Sequence, residues 1–304
     1  LAASAILAVS LGAADAASGA FGVGVLRRDG VIIPFAAWDG KRWSKLWPLP
    51  AMDLTVPITL AAVPKGWWGP TPPLAEWQAW TAADTRVVRV AQPQWLDVHC
   101  ERQIGLRTDY VPRDPAPPAA EQPYPKDGLV VSPAQAIERI EILPLDAPET
   151  RALIPPLLES FNKAERDLEV QSSHPIQRRA REGVEPTIEA VYAVGGAASR
   201  VYYVESTRRY RELGTSPDEC DALAFGTGWF VRDAAGVRPV VMTVGLLRCD
   251  RVGASYMLPL GAVRLSNRLF WIAQFSGWDH ERFVVLELKP GRIDVALSKW
   301  GGGC

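Results

Sequence analysis

From residue 21 onward the chain alternates short apolar runs with turn signals, at a spacing that suits strands. Residues 21–27 and 31–37 flank Arg28-Asp29-Gly30, and a second Asp-Gly pair, Asp39-Gly40, leads into Lys41-Arg42-Trp43. Three strands in a meander are expected there. Runs at 54–63 and 86–91 are rich in Val, Thr, Ile and Leu, and Pro57 would place the first at an edge or a bulge. The pattern returns after residue 187. Residues 188–194 and 200–206 flank Gly195-Gly196-Ala197-Ala198, residues 225–232 and 237–247 flank Asp233-Ala234-Ala235-Gly236, and residues 282–288 and 293–297 flank Lys289-Pro290-Gly291-Arg292. Each reads as a hairpin. Ile293, Val295 and Leu297 alternate with Asp294, Ala296 and Ser298, as in a strand buried on one face. Residues 269–275 are apolar on both faces, which places them at the centre of a packed structure.

Between these regions the pattern changes twice. Six of the fifteen residues in 111–125 are proline, a stretch that neither pairs in a sheet nor continues a helix. It reads as an extended connector. Ser132-Pro133 has the form of a helix start, with Ser as N-cap and Pro at the first helical position. Ile154, Leu157, Leu158, Phe161 and Leu168 then recur at helical spacing, with Pro155-Pro156 kinking or beginning that helix. Arg178, Arg179 and Arg181 form a basic cluster that reads as a solvated face.

The expected fold is therefore mainly β with a small helical insert, its antiparallel sheets forming a sandwich, a barrel or an irregular propeller-like array. It divides into an N-terminal Trp-rich β region (20–110), a Pro-rich connector (111–131), a helical section (132–183) and a C-terminal antiparallel β region (184–304). The lack of a clean internal repeat weighs against a regular propeller.

Residues 1–14, LAASAILAVSLGAA, have the length of a signal-peptide core, and Ala14-Asp15-Ala16 supplies a small-x-small cleavage pattern. Residues 1–16 are expected to be a signal peptide of bacterial type, too short to span a bilayer, which needs roughly 20 apolar residues. The mature chain is expected to carry no transmembrane segment and to be exported to the periplasm or the extracellular space. Cysteine usage agrees with export. Cys100, Cys220, Cys249 and Cys304 are even in number and contain no C-x-x-C pair, which removes zinc ribbons and thioredoxin-like sites. The favoured disulfides are Cys220 with Cys249 and Cys100 with Cys304.

With 33 basic and 34 acidic residues, the formal net charge is −1, so no nucleic-acid partner is expected, because that role needs a basic excess. Three histidines, far apart in sequence, do not suggest a metal site, and no cofactor fingerprint is present. No G-x-S-x-G, Walker loop or H-E-x-x-H occurs.

Of the 12 tryptophans, eight lie between residues 38 and 95. Solvent-facing indoles suit sugars or a protein partner, whereas buried ones fill a core. Trp67 and Trp68, between glycines and prolines, are the leading ligand-binding candidates, with Trp77 and Trp80 beside them. The functional expectation is a non-catalytic binding or structural protein that meets a glycan or another envelope or extracellular protein. The alternative is a secreted hydrolase acting on glycans, for which two carboxyls about 5–10 Å apart are required. Asp279 and Glu281, flanking His280 beside Trp278, and Glu138 with Glu141 are the acidic pairs to test.

Overall fold

Strand β1 (Phe21–Arg27) pairs antiparallel with β2 (Val31–Trp38), and β2 with β3 (Trp43–Lys45), giving the expected meander. The computed structural model describes residues 19–45, 58, 76–171, 173–196, 199–212, 216 and 219–304. The expected leader, the run at 54–63 apart from Ile58, and Trp47, Trp67 and Trp68 lie outside the described residues.

Beyond the meander come β4 (Glu76–Thr81), β5 (Thr85–Val98), β6 (Glu101–Thr108) and β7 (Lys126–Ser132). Their order is β1-β7-β4-β5-β6-β2, and the β1–β2 pairing closes the ring into a six-stranded antiparallel barrel. Closure removes the free edges of an open sheet. Leu26, Ile32, Trp77, Val88, Ile104, Leu106 and Val130 fill the barrel, while their strand neighbours Val25, Val31, Ile33, Leu129 and Val131 face outward into a second core.

The structure corrects two boundaries. The connector ends at residue 125, since Lys126 to Val131 belong to β7, and Ser132 closes that strand instead of capping a helix. The Ser132 hydroxyl donates to the Glu76 carbonyl at 2.6 Å across the barrel. Leu129, Val130 and Val131 are fully buried and β7 pairs on both sides, so sheet burial overrides the local capping signal. Helices begin later, with α1 (Pro148–Arg151), α2 (Ile154–Gln171) and α3 (Arg178–Arg181). Pro155 and Pro156 sit in the first turn of α2, where the missing N–H groups have no intrahelical acceptor anyway. Among the described residues no helix is long and apolar enough to cross a membrane.

The remaining strands form two sheets. One has the order β12-β11-β10-β9-β8, from β8 (Glu141–Ile142), β9 (Thr187–Gly196), β10 (Ser199–Tyr210), β11 (Ala222–Asp233) and β12 (Gly236–Leu247). The other is β13 (Tyr256–Leu265), β14 (Arg268–Ser276), β15 (His280–Lys289) and β16 (Arg292–Gly303), in sequence order. The three expected hairpins are β9–β10, β11–β12 and β15–β16.

The four-stranded sheet is the middle layer. Phe270, Ile272, Phe283 and Val285 pack on the outside of the barrel, whereas Trp271, Ala273, Val284 and Leu286 pack on Tyr203 and Trp229 of the five-stranded sheet. This is why β14 is apolar on both faces. Helix α2 covers the far side of the five-stranded sheet with Leu157 and Phe161. A polar tie holds it there: Glu165 accepts from Arg208 Nη1 at 2.6 Å and from the Tyr210 hydroxyl at 2.5 Å. Of the basic cluster, Arg181 pairs with Glu169 of α2.

Candidate functional site

Three segments far apart in sequence meet where the barrel abuts the middle sheet. The first is the β5–β6 turn, His99-Cys100, in which His99 takes a positive φ of 52°. The second is the β14–β15 turn, where the Gly277 N–H donates to the His280 carbonyl at 2.9 Å. The third is the end of β16. Cys304 is joined by a disulfide to Cys100, and its N–H donates to the Asp279 carbonyl at 2.9 Å. Gln103 Nε2 adds a 2.7 Å bond to the Gly301 carbonyl. The other disulfide joins Cys220 to Cys249 across the β11–β12 hairpin. In the chain-entropy account the longer loop is worth about 5 kcal/mol and the shorter about 3.5.

This junction carries the exposed aromatic surface. Trp278 is 69% exposed and Trp300 is 48% exposed. Trp300 stacks on His280 with ring centroids 5.4 Å apart and planes 11° from parallel. Its indole N–H donates to Glu101 Oε1 at 2.8 Å, and His280 Nδ1 lies 2.8 Å from Asp279 Oδ1. The hydrogen bond with His280 holds the Asp279 carboxyl below its ordinary range, so it is an acceptor at neutral pH. Lys299 donates to the Trp300 carbonyl at 3.1 Å, and burial, reinforced by Lys45, pushes its amine down to about 8. Glycine is required at two positions. A Cβ on Gly303 would come within 2.4 Å of the Trp300 ring, and Gly302 has φ +130° against Val98. The terminal glycines are thus buried strand residues.

Of the four expected ligand-binding tryptophans, two lie among the described residues. Trp67 and Trp68 are outside the described residues. Trp77 is 1% exposed inside the barrel, which moves it from the ligand-facing set to the core. Trp80 lines a cleft of about 440 Å³ with Arg139, Tyr192, Leu258 and Pro259. Trp38 and Trp43 pack with Phe270.

The acidic pairs also separate. Asp279 is at the surface, but Glu281 turns inward, where its Oε2 accepts from Lys126 Nζ at 3.0 Å and Gln274 Nε2 at 3.1 Å. Both members of that ion pair are 1% exposed, so Glu281 and Asp279 do not face each other across a cleft. Glu138 and Glu141 lie in an extended segment. The first bridges to Ala262 of the middle sheet, and the second begins β8. Cys100 is oxidised, which leaves His99 without a thiol partner. Among the described residues no group of three or more His, Cys, Asp or Glu is placed to hold a metal ion.

Family models, curated proteins and solved structures offer no match to this chain. The site is read from its own geometry. The sequence singled out Trp278, Asp279 and His280 and paired Cys100 with Cys304, but nothing in it showed that Trp300 and Glu101, about two hundred positions apart, join them. The available signal was Gly277-Trp278-Asp279, a tryptophan at the tip of a turn with no strand to bury it.

Proposed function

We propose that the protein is an exported, non-catalytic binding protein that holds a glycan against Trp278, His280 and Trp300. The observation that carries the reading is the exposure of Trp300, stacked on His280 and bonded to Glu101, and of Trp278 in the adjoining turn, with the Asp279 carboxylate on His280. Flat aromatic faces suit the C–H faces of sugar rings, and carboxylates accept hydrogen bonds from sugar hydroxyls. A disulfide that joins two of the three segments, with the Cys304 N–H bonded to the carbonyl of Asp279 in the third, holds the surface in place before a ligand arrives, which lowers the ordering entropy of binding. Two disulfides are also what an oxidising compartment permits, and they support export.

The test is a glycan array followed by affinity measurement on the best ligand. Trp278→Ala and Trp300→Ala are each expected to weaken binding about 30-fold, the equivalent of a 2 kcal/mol anchor. Retention of full affinity by the double variant contradicts the reading. The hydrolase alternative loses its leading pair, since Glu281 is neutralised by Lys126 inside the protein.

A further inference from the structure

The five-stranded and four-stranded sheets part at one end, between the β11–β12 and β15–β16 turns, around a cavity of about 290 Å³. Its floor is aliphatic: Val201, Val240, Leu269, Leu288 and Ile293. These residues border the core that contains Trp229 and Trp271, so the cavity is the open end of the inter-sheet core. Its rim carries Arg238, Arg264 and Lys289 against one carboxylate, Asp233. Arg264 is held by Glu138, and Lys289 by Glu287 and Asp294. Arg238 comes only to 3.6 Å from Asp233, beyond hydrogen-bond length, so its guanidinium keeps donors for a second carboxylate.

The geometry points to a second binding site, between the two sheets, that takes a medium-chain fatty carboxylate with its tail on the aliphatic floor and its head on Arg238. A sugar would leave hydroxyls unpaired on such a floor, which is unfavourable. The volume is near the lower end of small-molecule sites, roughly 300–1,000 Å³, which favours a short occupant. This site is independent of the aromatic surface and of the glycan reading.

Calorimetric titration of the full chain with octanoate, decanoate and dodecanoate, below their micelle concentrations, tests it. Saturable one-to-one binding is expected, tightening about fourfold per methylene until the cavity is filled. Arg238→Glu, a surface change, is expected to weaken decanoate at least tenfold, and Val240→Phe to abolish binding by filling the floor. Trp278→Ala should leave decanoate affinity unchanged, which keeps this result separate from glycan binding. Circular dichroism verifies that each variant is folded, and Arg238→Glu decides alone if Val240→Phe is not. The proposal is overturned by an absence of saturable binding, by unchanged affinity in Arg238→Glu, or by equal binding of decanol.

Discussion

Glu281 and Glu205, one on each side of the middle sheet, are both held away from water, and the two are provided for differently. On the barrel side, Glu281 meets Lys126 and Gln274. On the other side, Glu205 of β10 is 3% exposed and accepts a 2.6 Å hydrogen bond from the Met257 N–H. Burial raises the Glu205 carboxyl to about 7, with the Met257 bond opposing and Glu189 adding to the rise. At the other joint burial pushes the Lys126 amine down, and the attraction of Glu281 opposes it. The first joint is thus tied by charge, and the second mainly by apolar packing around a carboxyl that burial favours in its protonated form.

The largest effect should come from breaking the tied joint. Lys126→Ala leaves Glu281 buried without its cation and is expected to cost about 3–5 kcal/mol in denaturant unfolding. Replacing the pair together, with Lys126→Met and Glu281→Leu, should recover most of that loss, because two apolar side chains remove both desolvation penalties. The same joint has a covalent tie. Cys100→Ser with Cys304→Ser is expected to lower stability by about 2–5 kcal/mol and to weaken glycan binding, since the aromatic surface loses its clamp. Cys220→Ser with Cys249→Ser should lower stability but spare binding.

The untied joint is sharpened by pH. Glu205 has a folded value raised from 4.5 to about 7, so the folded state holds the proton more tightly than the unfolded chain. Its contribution is therefore complete below pH 4.5, is lost as pH rises through that window, and is constant above it. The change in unfolding free energy over the window should be about 3 kcal/mol at most. Glu205→Gln should flatten this dependence and stabilise the protein at pH 8 by about 1–3 kcal/mol. The smallest stability effect belongs to the exposed surface, where Trp278→Ala should change unfolding by less than about 0.5 kcal/mol while removing ligand affinity.

Much of the fold was legible because it is local. Turn residues at 233–236 and 289–292 mark their hairpins, and the two-faced apolar run at 269–275 became the central strand of the middle layer. The barrel was harder to see. Its ring includes a seam of two residue pairs between β2 and β6, Val31 with Arg107 and Ile32 with Leu106, and needs β7 to enter between β4 and β1, the latter about a hundred residues away. No local pattern encodes such pairings. The tryptophans misled for a related reason. Density along the chain marked 38–95, but a barrel turns alternate residues inward, and Trp77 fills it. Trp278 and Trp300 stand apart in sequence, and it is the β15–β16 pairing that stacks Trp300 on His280, two residues after Trp278.

Resonances of the indole N–H groups provide the most direct measurement of the aromatic surface as the binding site. On titration with the best array glycan, the Trp278 and Trp300 signals are expected to shift, with the buried Trp77 and Trp271 signals unmoved. Saturating ligand that leaves the Trp278 and Trp300 signals in place, while others move, would contradict that assignment.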